Sequence, residues 1–283
     1  MSAGLRIVGL LLAIAASSAW PGEGKAALAG TVRFEGDIPA PYRFDLSASP
    51  RDVPVCRGES ADAFKPSNRL QVHPQSRGVA SVVAILSTLD GKTPPGAPPF
   101  PAPRSVLVDQ VACAYVPFVT WVEAGQPLQI RSSDRTLHNV HAYKDRIGGE
   151  TLFNVAMPVQ GQTIEKKFAD PGLVALACDA GHNWMSAYVF VVENPCIAVT
   201  PEEGSFKFEG LAPGEYKLTL WQAGWKVTPV GTDPVTKKPR GFAYSEPLIL
   251  ERTVRLKSGA NTLEAALTPE GWKEPGETSA VEK

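Results

Sequence analysis

The sequence predicts an all-β chain of two β-sandwich domains. Short runs that alternate apolar and polar residues recur along its 283 residues, as half-buried strands do. Its 25 glycines and 26 prolines fall between those runs and supply the turns. No long segment keeps the 3.6-residue apolar period of an amphipathic helix. Basic and acidic residues balance at 28 and 29, for a net charge of −1, which excludes the basic footprint of a nucleic-acid binder.

Taken in order, Met1 to Ala19 has one arginine, an almost unbroken apolar run from Ile7 to Ala16, then small residues. That is the pattern of a secretory signal peptide, too short for a stable membrane span. Residues 1–29 are therefore set aside, with cleavage after Ala19 or after Ala29. Export places the mature chain in the periplasm or outside the cell, with no integral membrane segment left and in a compartment where disulfides persist. Roughly 255 mature residues suffice for one large or two ordinary β domains.

Thr31 to Phe34 alternates and reads as the first strand, and Val79 to Leu86 is apolar enough for a strand buried on both faces. The proline-rich stretch from Gly91 to Pro103 can only be loop or linker. Six short strands follow, at 105–108, 116–122, 128–131, 163–168, 174–178 and 187–192, spaced as in a Greek-key sandwich. Glu203 to Trp221 gives two more alternating strands around a Pro-Gly turn. Gly224 to Ser245 reads as a long irregular excursion, Leu248 to Leu267 as two returning strands, and residues 268–283 as a disordered tail.

One stretch concentrates unusual chemistry. Cys178-Asp179-Ala180-Gly181-His182-Asn183-Trp184-Met185 offers a thiolate, an imidazole and a thioether in eight residues, and His138 supplies a second imidazole upstream. Two histidines and a cysteine in a trigonal set, with a distant methionine, are the ligands of blue-copper electron-transfer centres. One copper ion of this type 1-like kind is the expected cofactor, held by His138, Cys178, His182 and Met185. Zinc accepts the same nitrogen and sulfur donors, and the sequence leaves occupancy open. His141 lies an odd step from His138 and on a strand faces the other way, so a supporting role is expected of it. Trp184 has two readings: a roof that excludes water from the metal, or part of an apolar patch around an exposed His182 through which electrons leave. His73 has no partner in sequence and reads as a surface residue.

The Cys178, His182 and Met185 loop, the preceding His138-Asn139-Val140 and the lead-in Val122 to Ile130 resemble the cupredoxin family, closest in loop style to amicyanin and plastocyanin. The resemblance implies a cupredoxin domain over 105–195, in which the Asn139 side chain pins the cysteine loop. Short-loop members have two residues between Cys and His; this chain has three. Gly204 to Trp221, with its Gly-x-Phe and Leu-x-Pro-Gly-x-Tyr order, resembles the hairpin of the carboxypeptidase regulatory-like, prealbumin-type sandwich, a family that often begins with a Gly-Thr-Val strand as at Gly30. Segments 30–104 and 196–267 are accordingly expected to form one such sandwich, with the cupredoxin inserted in it or packed beside it. Cys56 and Cys113, both in irregular segments, are the disulfide candidates, leaving Cys196 a buried free thiol; a bridge from Cys113 to Cys196 stays open.

The expected function is that of an exported one-electron carrier with a redox partner protein. No acid–base pair stands beside the metal ligands, so enzymatic turnover is not expected. The rival readings are a copper chaperone or storage protein and a non-redox module that binds glycan or envelope partners.

Overall fold

Strand-forming residues meet across long sequence separations to build four main sheets. The computed structural model describes residues 24–48, 50–58, 62–101 and 105–273. Ala26–Phe34 lies antiparallel to Ser205–Leu211 on one side and parallel to Gly259–Thr268 on the other, with Val32 opposite Ala265 and Phe34 opposite Leu267. Gly271–Trp272 extends this sheet to four strands. A second sheet runs Ile197–Val199, Val83–Ser87, Gly214–Gln222, Leu248–Leu256. Alternation decides what they share: Leu28, Val32, Phe34, Leu86, Leu218, Leu220 and Leu250 belong to one buried cluster, while the residues between them stay more exposed. Gly30 is required here, because a Cβ would strike the Phe206 ring laid across it.

Two further sheets enclose another core. One has the order Thr163–Lys167, Pro127–Ser132, Val106–Val111, Ala114–Val116; the other Thr151–Met157, His138–Lys144, Gly172–Ala177, Ser186–Val192, Val119–Glu123. Val108, Leu128, Ile130, Val140, Leu176 and Val189 cluster within this core, each with no exposed surface. Among the described residues the only helical elements are the short turns Leu46–Ala48 and Val53–Cys56, and no helix is long and apolar enough to cross a membrane. The chain is all-β.

A third buried cluster, with Val83, Phe118, Ala175, Tyr188 and Trp221, joins strands of the two sandwiches. At its edge Arg69 is 2% exposed. Its guanidinium donates to Gly224 O at 2.6 Å, Ser186 Oγ at 2.8 Å and Tyr188 OH at 2.7 Å, and stacks 3.8 Å from the centre of the Tyr244 ring. A buried cation keeps its charge only with its donors satisfied, and this one bonds 117 to 155 residues along the chain.

Ser205–Leu211 and Gly214–Gln222 do not form a hairpin: the first pairs with Ala26–Phe34, the second with Val83–Ser87 and Leu248–Leu256. The Pro-Gly turn carries the chain from one sheet to the other. The excursion after Gly224 is a two-stranded ribbon, Val227–Thr232 against Pro239–Tyr244. Neither strand has a buried face, so no alternation betrays it. Thr151–Met157, unread in the sequence, is an edge strand that fully buries only Met157. Val79–Leu86 is broken at Ser81, which has a positive φ of 63°. Thr268 to Trp272, assigned to the tail, is strand and turn; residues 274–283 lie outside the described residues. The first strand starts at Ala26, so cleavage after Ala29 would remove its first four residues, including the buried Ala26 and Leu28. Residues 1–23, with the cleavage point at Ala19, lie outside the described residues.

Candidate metal centre

His138 opens the strand His138–Lys144, and Cys178 follows the last residue of Gly172–Ala177; the pairing of His141 with Ala177 brings these two strand ends together. The loop after Cys178 folds back so that Met185 N donates to His182 O at 2.9 Å. Nδ1 of His138 then lies 3.1 Å from Nδ1 of His182, and Cys178 Sγ lies 3.8 Å from each. The point equidistant from these three atoms is about 2.1 Å from each, close to the bonds of about 2.0–2.1 Å to nitrogen and 2.3 Å to sulfur that a first-row ion such as zinc makes. The triangle fits one such ion. Both histidines are fully buried, and Cys178 and Met185 are each 2% exposed in the same core.

A second layer fixes these side chains. Asp134 Oδ2 lies 2.9 Å from His138 Nε2, and the Asp134 carboxylate accepts from Ala112 N at 2.7 Å and Cys113 N at 2.8 Å. Burial raises the Asp134 pKa, but His138 and the two amides outweigh it and hold the carboxyl below its usual range. Burial lowers the His138 pKa, yet Asp134 and Cys178 carry it up to about 9. Burial likewise raises the Cys178 thiol, while bonds from His138, His182 and the amides of Asn139 and Ala180 bring it down to about 6.

Asn139 Oδ1 accepts from the amides of Asp179 and Ala180, and its own N–H points at Cys178 Sγ at 3.5 Å. It ties the cysteine loop to the histidine strand. His141 turns to the opposite face, where it meets Asp179 Oδ2 at 2.6 Å and Thr151 Oγ1 at 2.8 Å and stacks on Tyr143. It is not among the clustered ligand atoms. Trp184 donates to Cys113 O at 3.1 Å, with its ring 5.4 Å from that of His182. His73 is half-buried and accepts from Ser76 N at 3.1 Å.

The exposed-His182 reading is overturned. The ring has no exposed surface. Asp52, just before the Val53–Cys56 turn, sets Oδ2 3.4 Å from His182 Nε2 and is itself held by Thr136 Oγ1 at 2.6 Å. That separation suits an ion pair, but Nε2 makes no hydrogen bond. Phe44 stacks on Trp184, Phe242 packs on Phe44, and Asn183 Nδ2 donates to Arg240 O at 3.0 Å. The cover thus comes from segments that sequence spacing places far from the site.

Cys56 and Cys113 form a disulfide, with Cα atoms 4.7 Å apart, and Cys178 and Cys196 are free thiols. Asp134 and Asp52 went unread in the sequence. Asp134 stands four residues before His138, a spacing that gains meaning only once the turn between them is known; nothing in the sequence marks Asp52.

No protein-family model matches the chain, and no curated protein sequence does. Parts of solved structures do. A copper-containing nitrite reductase from Thermus scotoductus is 20% identical over 33% of this chain and 23% of its own, with a TM-score of 0.29. A purple cupredoxin from Nitrosopumilus maritimus is 20% identical over 31% of this chain and all of its own, with a TM-score of 0.28. A reduced mutant of amicyanin is 24% identical over 35% of this chain and 97% of its own, also at 0.28. The neighbours in structure are cupredoxins, each similar to about a third of the chain.

Proposed function

We propose that this chain is an exported copper protein with one type 1-like ion, carrying single electrons to or from a partner protein. The observation behind this is the His138, Cys178 and His182 triangle, whose centre stands at bonding distance from all three donors. A thiolate and two imidazoles suit copper in both oxidation states, and a weak axial thioether from Met185 favours the reduced one. Zinc accepts the same donors with lower affinity than Cu(II). The bound ion supplies the one-electron change. The residues limit the movement that goes with it: Asn139 holds the loop, Asp134 holds the His138 ring, and Trp184 and Asp52 keep water from His182. Full burial of both imidazoles argues against a solvent-open chaperone site, and carrier chemistry needs no catalytic acid or base.

In this reading residues 105–195 are the cupredoxin unit, and segments 30–104 and 196–267 make a prealbumin-like sandwich that lends it a cover. Residues 1–29 contain the export signal, which leaves the protein in the periplasm or secreted. The test is the visible spectrum of the Cu(II)-loaded protein. An intense thiolate-to-copper band is expected, lost in Cys178→Ser and kept in Met185→Leu with a raised potential. A colourless Cu(II) protein would remove the reading, and an unchanged potential in Met185→Leu would remove the axial assignment.

A further inference from the structure

The Cys56–Cys113 disulfide stands at the metal centre itself. Its sulfurs and a ring nitrogen of His182 all lie within 4.8 Å of one another, and all three residues are buried. Cys113 is also grouped within 4.8 Å with Asp134 and His138. His182 turns Nδ1 toward Cys178, while its Nε2 is buried without a hydrogen-bond partner. Asp52 Oδ2 stands 3.4 Å from it without a hydrogen bond, and a buried nitrogen left unsatisfied favours a ligand. Oxidised sulfur is a poor ligand; the thiolate is the form that binds metal.

We propose that the disulfide is a latent second metal site, opened by reduction, in which the thiolates of Cys56 and Cys113 and a nitrogen of His182 hold a soft ion such as Cu(I). Two thiolates and an imidazole are the donors that select Cu(I) over harder ions. A trigonal ion with bonds of about 2.3 Å holds its ligands about 4 Å apart, so the two sulfurs must separate by about 2 Å from their bonded distance. A change of χ1 rotamer at one cysteine moves its sulfur farther than that, and the backbones can stay as they are, with Cα atoms 4.7 Å apart. The chemistry balances with a phosphine and water. The S–S bond breaks, the sulfurs gain two electrons and two protons as thiols, and phosphorus loses two electrons as it takes up the water oxygen. Cu(I) then displaces the two thiol protons and, where His182 Nδ1 already holds the first ion, the Nε2 proton, so that the ring bridges the two sites as an imidazolate. Two soft sites would flank one imidazole, and the redox state of the cystine would set how many ions the protein holds.

The experiment counts Cu(I) bound by the full chain in competition with a Cu(I) chelator under argon, before and after reduction by a phosphine that is then removed. Cys196→Ala is the background, so that the remaining buried thiol does not contribute. One equivalent is expected in the oxidised protein and two in the reduced, with the near-ultraviolet circular dichroism of the folded state retained. Added Cys178→Ser separates this inference from the first site: the reduced chain should still gain one equivalent. One equivalent in both redox states, with thiol titration showing the disulfide open, overturns the proposal. So does a second equivalent that survives in Cys56→Ser/Cys113→Ser, or one taken up only by a chain that has lost its folded signal.

Discussion

Asp134 Oδ2 sits 2.9 Å from Nε2 of His138, on the far side of the ring from the nitrogen that faces Cys178. A carboxylate there fixes the tautomer and makes the imidazole a better donor. Asp134→Asn should weaken Cu(II) binding by about 10–100-fold and raise the potential, because the electron-richer ring favours the oxidised ion. Competition with a chelator and a redox titration measure the two effects. Unchanged affinity would mean that the contact orients nothing.

Asn139 receives two loop amides through one oxygen. Asn139→Ala leaves both without that partner beside a buried thiolate, at a cost of about 1–3 kcal/mol. Chemical unfolding should show the loss, and hydrogen exchange at Asp179 and Ala180 should quicken more than in the rest of the inner sheets.

Arg69 spreads three hydrogen bonds across the contact between the sandwiches. Arg69→Met should lower the unfolding free energy by about 3 kcal/mol or more, since bonds to a charged donor contribute about 1.5–3 kcal/mol each and their buried acceptors are left unpaired. Arg69→Lys should not restore it, because an ammonium cannot match the planar fork. Urea titration checks both variants.

Burial raises the Cys196 thiol to about 11 from an ordinary value of 9.0. The folded state prefers the neutral thiol, so this stabilisation is complete below pH 9 and is lost as pH rises through 11. Two pH units correspond to about 2–3 kcal/mol. The wild-type protein should lose that much stability over this window beyond whatever Cys196→Ala loses. Urea unfolding at pH 8 and 10.5, where about 2 kcal/mol of the loss is already present, compares them.

How far the sequence could be read follows from where each signal resides. The meeting of His138, Cys178 and His182 is legible because the last two share one loop and His138 heads a strand, so residue type and spacing point to it. The paired strands around them are legible where one face is buried, as in Pro127–Ser132 with its strict alternation. The Val227–Thr232 and Pro239–Tyr244 ribbon is not, because neither strand has a fully buried face and only scattered side chains such as Phe242 and Tyr244 pack inward. Asp52 is hidden for a different reason: its meaning depends on a tertiary approach to a ring 130 positions later, which no local pattern encodes. The Ser205–Leu211 and Gly214–Gln222 pair shows the limit of a motif, for a short turn between two alternating strands fits a hairpin and a sheet-to-sheet crossing equally well.

The parallel register of Ala26 with Gly259 has a consequence for biogenesis. A ribosome adding about 5–20 residues per second needs about 10–50 s between making the first of these partners and the last. Until residue 259 is made the N-terminal strand lacks its parallel neighbour, whereas the stretch that carries every proposed copper ligand is finished at Met185 and is free to collapse before then. Assembly is therefore ordered from the inside outward, and a nascent chain halted short of residue 259 would expose an unpaired edge to whatever helper proteins attend it.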